Sequence, residues 1–135
     1  GFVELCEKEF PYINIVDIKE NNDDDIDSYK VTKDLIENYP QINGFYFAAA
    51  GVKGGVVAIN ECFQNKKRPI VITCDDTEQI RELVLDGKIN ATVCQQPYLQ
   101  GYKSLKILFE YKFNGRISDD KVVYTKNEIK LKYNI

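Results

Sequence analysis

Asp75 and Gln95 are the two side chains of this sequence that stand where a strand ends and a ligand can be met. Asp75 follows Pro69-Ile70-Val71-Ile72-Thr73-Cys74, whose β-branched apolar residues predict a buried strand. Gln95 follows Ile89 to Cys94, a second short apolar run. In an open parallel sheet the carboxyl ends of the strands border the ligand crevice. A carboxylate there accepts two hydroxyl donors at once, which suits a sugar, and an amide both donates and accepts. A plainer reading of each residue stands beside this one: Asp75 shapes a turn, and Gln95 caps one. The neighbouring Asp76-Thr77-Glu78-Gln79 has capping-box spacing, which makes Asp76 the expected cap of the next helix.

Other chemistries find little support. The chain has no histidine, and Cys6, Cys62, Cys74 and Cys94 match no zinc spacing. Gly51-Val52-Lys53-Gly54-Gly55 fails both the phosphate-loop and the dinucleotide spacing. Asp23-Asp24-Asp25 invites a calcium reading, but no glycine follows in loop register and no glutamate closes the set. A solvated loop ending in a helix cap, at Asp25 or Asp27, is the expectation. A two-component receiver domain also carries paired acids, but its acids end the first strand, and the order here does not fit. With no G-x-S-x-G elbow and no metal cluster, the chain is not expected to be an enzyme or to hold a metal or cofactor.

These candidates need elements to hold them. Helices are expected over Gly1–Phe10, from the Asp25–Asp27 region to Tyr39, over about Lys53–Phe63, from Ile80 to Leu85, and over Tyr98–Phe113. Val31, Leu35 and Tyr39 mark the apolar face of the second, and Gly87 and Asn114-Gly115 close the fourth and fifth. Strands are expected at Ile13–Ile18, Ile42–Ala49, Pro69–Cys74 and Ile89–Cys94. After a turn at Asp119-Asp120, Lys121–Thr125 reads as a short strand or an extended segment, and Ile129–Ile135 alternates strictly as a half-wet strand does. Repeated β-α units imply an α/β fold: an open, mostly parallel sheet with helices on both faces.

Asp86-Gly87-Lys88-Ile89-Asn90-Ala91-Thr92-Val93-Cys94-Gln95-Gln96-Pro97, with Gly101 beyond it, resembles a run shared by the lactose/galactose-repressor family and the sugar-binding proteins of bacterial transporters. Family members read D-G-x-I-x-A-T-hydrophobic-x-Q-x-P and then a helix beginning near a small-Gly pair. The resemblance covers nearly the whole chain, but only the second half of the family's full domain. It implies the C-terminal lobe of a type I periplasmic-binding-protein-like fold, formed by residues 1–96 and 118–135. Residues 97–117 would be a helix that packs on an N-terminal lobe. It also strengthens Asp75 as a ligand residue, because the family has an aspartate at that register. Where the family reads hydrophobic-F-A-x-N-D, this chain has Ala50 and Gly51. The familiar ligand-binding asparagine and acid are absent, and the backbone N–H groups of Gly51 to Gly54 are left near a helix N-terminus as a site for an anion or hydroxyl. Asp75, Gln95, Ala50 and Gly51 are thus the ligand-binding candidates.

The resemblance implies a sugar-sensing domain of a bacterial transcription regulator, with DNA reached only through an N-terminal headpiece. It also places a strand before Gly1 that this chain lacks, so a second copy, making a homodimer, is expected to cover the bare helix face and the sheet gap, unless another piece supplies the segment or the strands from Ile13 and from Gly44 close directly on each other. The alternative is the solute-binding protein of a sugar transporter. With 135 residues and a formal net charge of −3, one domain without a nucleic-acid surface is expected. No apolar run approaches the ~20 residues needed to span a bilayer, so no membrane partner is expected. Three of the four cysteines lie in apolar runs, where they read as free buried thiols; that favours a reducing, cytoplasmic setting. The chain opens without methionine inside a helical pattern and reads as a fragment of a longer protein.

Overall fold

Asp24 turns the acidic loop into a helix start: with φ −108° it accepts the amides of Ile26 and Asp27 on one carboxylate oxygen, at 2.8 and 2.9 Å. In the computed structural model, which describes residues 1–117, 120 and 122–135, the cap is therefore Asp24 rather than Asp25 or Asp27. The chain divides into two compact units, Gly1–Val71 and Ile72–Ile135.

The first unit holds α1 (Phe2–Glu9), α2 (Asp25–Asn38), β1 (Gly44–Phe47) and α3 (Val52–Cys62). Helix α1 stops before Pro11, buries Cys6, and stacks Phe2 on Tyr46 of β1 with ring centroids 4.5 Å apart. On α2 the buried side chains are Ser28 and Thr32, not the expected Val31, Leu35 and Tyr39 stripe. Small residues belong there because α2 packs closely on the glycine-bearing start of α3. A Cβ on Gly54 would collide with the backbone carbonyl of Asp25. Helix α3 is the core of this unit, with Val52, Val56, Ala58 and Ile59 buried.

Ile13–Ile18 does not form the expected strand. It is β-branched enough, but a strand needs a ladder, and it joins none of the sheet's four strands. Ile13 and Ile18 are exposed.

The strand order is β1-β2-β3-β4, and β2 (Ile70–Cys74) spans the boundary between the units. Strand β2 buries only alternate residues, Val71 and Thr73, while Ile70 faces solvent. It is thus a one-sided strand, less enclosed than its apolar run suggests. The second unit continues with α4 (Glu78–Leu85), β3 (Ala91–Cys94), α5 (Pro97–Asn114) and β4 (Glu128–Lys130). Strands β2 and β3 are parallel, with Ile72, Thr73 and Cys74 beside Ala91, Thr92 and Val93. Strand β4 runs antiparallel to β3, with Ile129 opposite Val93. Ile80, Val84, Ile89 and Cys94 are the unit's buried apolar residues.

Two local expectations fail in this unit. Thr77, not Asp76, caps α4, its hydroxyl taking the Ile80 amide at 3.3 Å. The alternating Ile129–Ile135 run is a strand only as far as Lys130, because the Asn134 side chain accepts the Leu131 amide at 2.6 Å and turns the chain. Of the segment read as a short strand or extended, Val122–Thr125 forms no strand, while Asp119 and Lys121 lie outside the described residues. Elsewhere the expected ends hold, with Gly87 at φ 71° after α4 and Gly115 at φ 61° after α5. The result is an α/β fold with an open, mostly parallel sheet.

Candidate functional site

The parallel register of β2 and β3 carries Asp75 and Gln95 to the same end of adjacent strands. The Asp75 amide donates to the Val93 carbonyl at 2.9 Å, extending the ladder by one rung. Its own carbonyl accepts the Thr92 hydroxyl and, weakly, the Cys94 thiol at 3.8 Å. The backbone then turns sharply, since Asp75 sits at φ 75°. That left-handed conformation is uncommon for a residue with a Cβ, and Asp is among the types that tolerate it. With its backbone fixed on both sides, the carboxylate is exposed and has no partner among the described residues. Asp76 serves a different role. Arg81 donates to both of its oxygens, at 2.6 and 2.9 Å, and this guanidinium holds the carboxyl below the usual range. Of the adjacent acids, Asp76 is thus tied to the helix that follows it, and the Asp75 carboxylate is left unpaired among the described residues.

Gln95 is exposed too, and its side-chain amide has no partner among the described residues. Its backbone is firmly held. The Gln95 carbonyl accepts the Gln100 side-chain amide at 2.6 Å and the Thr125 hydroxyl at 3.2 Å. Gln100 also donates to the Thr125 oxygen at 3.2 Å. Gln96 follows in the left-handed region, at φ 56° and ψ 57°, and its side chain donates to Glu128 at 3.1 Å. Pro97 then opens α5 as its first residue, where a missing N–H costs nothing. The turn at Gln96 and the roles of Gln100 and Thr125 escaped the sequence reading. The available signal was a second glutamine between a strand and Pro97, a position that must turn the chain.

Ala50 and Gly51 belong to the first unit, where the loop 21–25 holds them. The Ala50 amide donates to Asp23 at 3.0 Å, and its carbonyl accepts the Asn21 side chain at 2.9 Å. Gly51 caps α3 at φ 78°, and a Cβ there would lie 2.7 Å from the Asn21 amide nitrogen. The Gly54 amide donates to Asp25 at 2.9 Å. Of the Gly51–Gly54 amides expected to serve an anion or a hydroxyl, the donor at Gly54 is already used, by a carboxylate that would repel an anion. The acidic triplet is consumed in the same way, one residue to each task. Among the described residues no group of three His, Cys, Asp or Glu side chains is placed to hold a metal ion.

All four cysteines are free. Burial pushes the Cys94 thiol up, which favours its protonated form. Among the described residues no helix is long and apolar enough to cross a membrane.

This chain belongs to the periplasmic binding protein domain family, whose pattern matches residues 1–115. Among solved structures it is similar to a glucose-galactose binding protein from Geobacillus stearothermophilus, at 26% identity and a TM-score of 0.86, covering 100% of this chain and 47% of that one. A sugar-binding protein of a sugar ABC transporter from Bacillus halodurans is similar at 27% identity and a TM-score of 0.84, covering 98% and 49%. An arabinose binding protein from Geobacillus stearothermophilus shares 26% identity at a TM-score of 0.82, covering 98% and 48%. The chain spans about half the length of each of these structures. A search of curated proteins found no match.

Proposed function

We propose that this chain is one lobe of a sugar-binding protein that delivers its ligand to a transporter. The observation that carries the reading is the pairing of an exposed carboxylate and an exposed amide, Asp75 and Gln95, at the same end of adjacent parallel strands. Both are held by their backbones, and neither side chain is engaged among the described residues. Such a pair offers two hydroxyl acceptors and an amide that donates and accepts, which is the chemistry a pyranose or furanose ring presents. The similarity to transporter-associated and sugar-binding proteins at 26–27% identity supports transport over sensing. The exposed apolar face of α5 is the surface assigned to a second lobe, so that ligand is enclosed when the lobes close. The sugar itself and the second lobe's share of the contacts belong to this proposal.

A second reading, the sensing domain of a transcription regulator, is favoured by one feature: four free thiols suit a reducing compartment. The two readings part on location. Recovery of the protein in the cytoplasmic fraction supports the regulator, and recovery outside the cytoplasm supports the transporter component.

The sugar-binding claim is tested by calorimetry on the protein that carries these 135 residues, with glucose, galactose and arabinose. At least one should bind, and Asp75→Ala should weaken it by about 1.5–3 kcal/mol, the range for a hydrogen bond to a charged group. Unchanged affinity in that variant assigns Asp75 to the turn alone.

A further inference from the structure

We propose that Gln100 and Thr125 are positioning residues for Gln95, clamping its peptide so that the side-chain amide meets a sugar hydroxyl. The inference rests on the sugar-binding reading and adds residues to its site. A carbonyl has two lone-pair directions, and both at Gln95 are filled, one by the Gln100 amide at 2.6 Å and one by the Thr125 hydroxyl at 3.2 Å. The 3.2 Å bond from Gln100 to Thr125 closes a triangle.

The clamp comes from two distant parts of the chain. Gln100 lies in the first turns of α5, and Thr125 lies 30 positions beyond Gln95 in the segment before β4. It acts on a peptide that needs holding, since the next residue, Gln96, has left-handed backbone angles that a side chain disfavours. The bond from Gln96 to Glu128 secures the same turn from β4. If the triangle opens, Gln96 can relax toward ordinary angles, and the peptide that bears the Gln95 Cα rotates with it. A hydrogen-bonding amide tolerates little such displacement, so the loss appears in ligand affinity.

The test is calorimetry on the protein that carries this chain, using whichever of glucose, galactose and arabinose binds most tightly. Gln100→Glu keeps the shape and removes the amide donor; Thr125→Val removes the hydroxyl, and Thr125→Ser restores it. Gln100→Glu and Thr125→Val should each bind about three- to tenfold more weakly, the expected size for one neutral hydrogen bond. Thr125→Ser should bind as wild type does. In a Gln95→Ala background, Gln100→Glu should change affinity by less than about twofold, because the residue acts only through Gln95. Undiminished affinity in both disruptive variants overturns the inference, even where the melting temperature falls. So does a loss that persists in full without the Gln95 side chain. A wild-type protein that binds none of the three sugars removes the sugar-binding reading and the clamp together, whereas a binding wild type with silent variants removes the clamp alone.

Discussion

Helix α3 buries Val52, Gly54, Gly55, Val56, Ala58 and Ile59, whereas the 18-residue α5 buries none of its side chains. Both sequences are rich in apolar residues, so composition does not separate them. What differs is the neighbour each side meets. The start of α3 lies against α2, its Gly54 amide bonded to Asp25, at a separation that only glycine allows. Helix α5 turns its polar side toward its own unit: Gln100, Lys103, Ser104 and Ile107 line a cavity with residues 123–125 and 127. Tyr102, Leu105, Phe109 and Phe113 remain in solvent, with Phe109 and Phe113 ring centroids 4.7 Å apart. One helix thus organises its own unit, whereas the other leaves an apolar face exposed, the face that the proposed function gives to a second lobe.

The sharpest break of that comparison is Gly54→Ala. Its methyl group would collide with the Asp25 carbonyl, which is backbone and cannot swing aside. A loss of about 3 kcal/mol or more is expected in urea unfolding, as for overpacking of a closed core. Asp25→Ala removes the acceptor for the Gly54 amide and should cost about 1 kcal/mol, the usual price of a lost helix cap. If both variants unfold at the wild-type urea midpoint, the α2–α3 contact does not organise the first unit.

Smaller effects are expected in the second unit. Arg81 lowers the Asp76 pKa in the fold, so Asp76 contributes stability above the ordinary aspartate range, and that contribution is lost as pH falls through the lowered value. The pair is partly exposed, with Asp76 21% and Arg81 56% accessible, which keeps the contribution small. Asp76→Asn should remove that part of the acid dependence and leave the rest of the pH–stability curve in place. An acid limb identical to wild type would contradict the pairing. The smallest effect is expected from Phe109→Ser in the 135-residue chain alone, within about 0.5 kcal/mol, because the residue is already more than half exposed. With the proposed second lobe present, the same change should cost clearly more; equal cost in both settings would show that nothing covers α5.

The sequence revealed what depends on short-range pattern. The apolar runs ending at Cys74 and Cys94 located β2 and β3, and their parallel order placed Asp75 and Gln95 at one end of the sheet. Gly87 and Gly115 marked helix ends because only a few backbone conformations close a helix. What depended on distant partners was hidden. Three consecutive aspartates look alike in a sequence, yet Asp23 binds Ala50, Asp24 caps α2 and Asp25 holds α3. Ile13–Ile18 has strand composition, but composition supplies no neighbour to pair with. The Gln95 clamp joins residues 30 positions apart, a distance that no local pattern reports.

The central claim, that Asp75 and Gln95 form one sugar site, is tested most directly by a crystal structure of the protein with its tightest-binding sugar. The account predicts an Asp75 carboxylate oxygen and the Gln95 side-chain amide each within about 2.6–3.2 Å of hydroxyl or ring oxygens of a single sugar molecule. A sugar bound elsewhere, or one that touches neither residue, would contradict it.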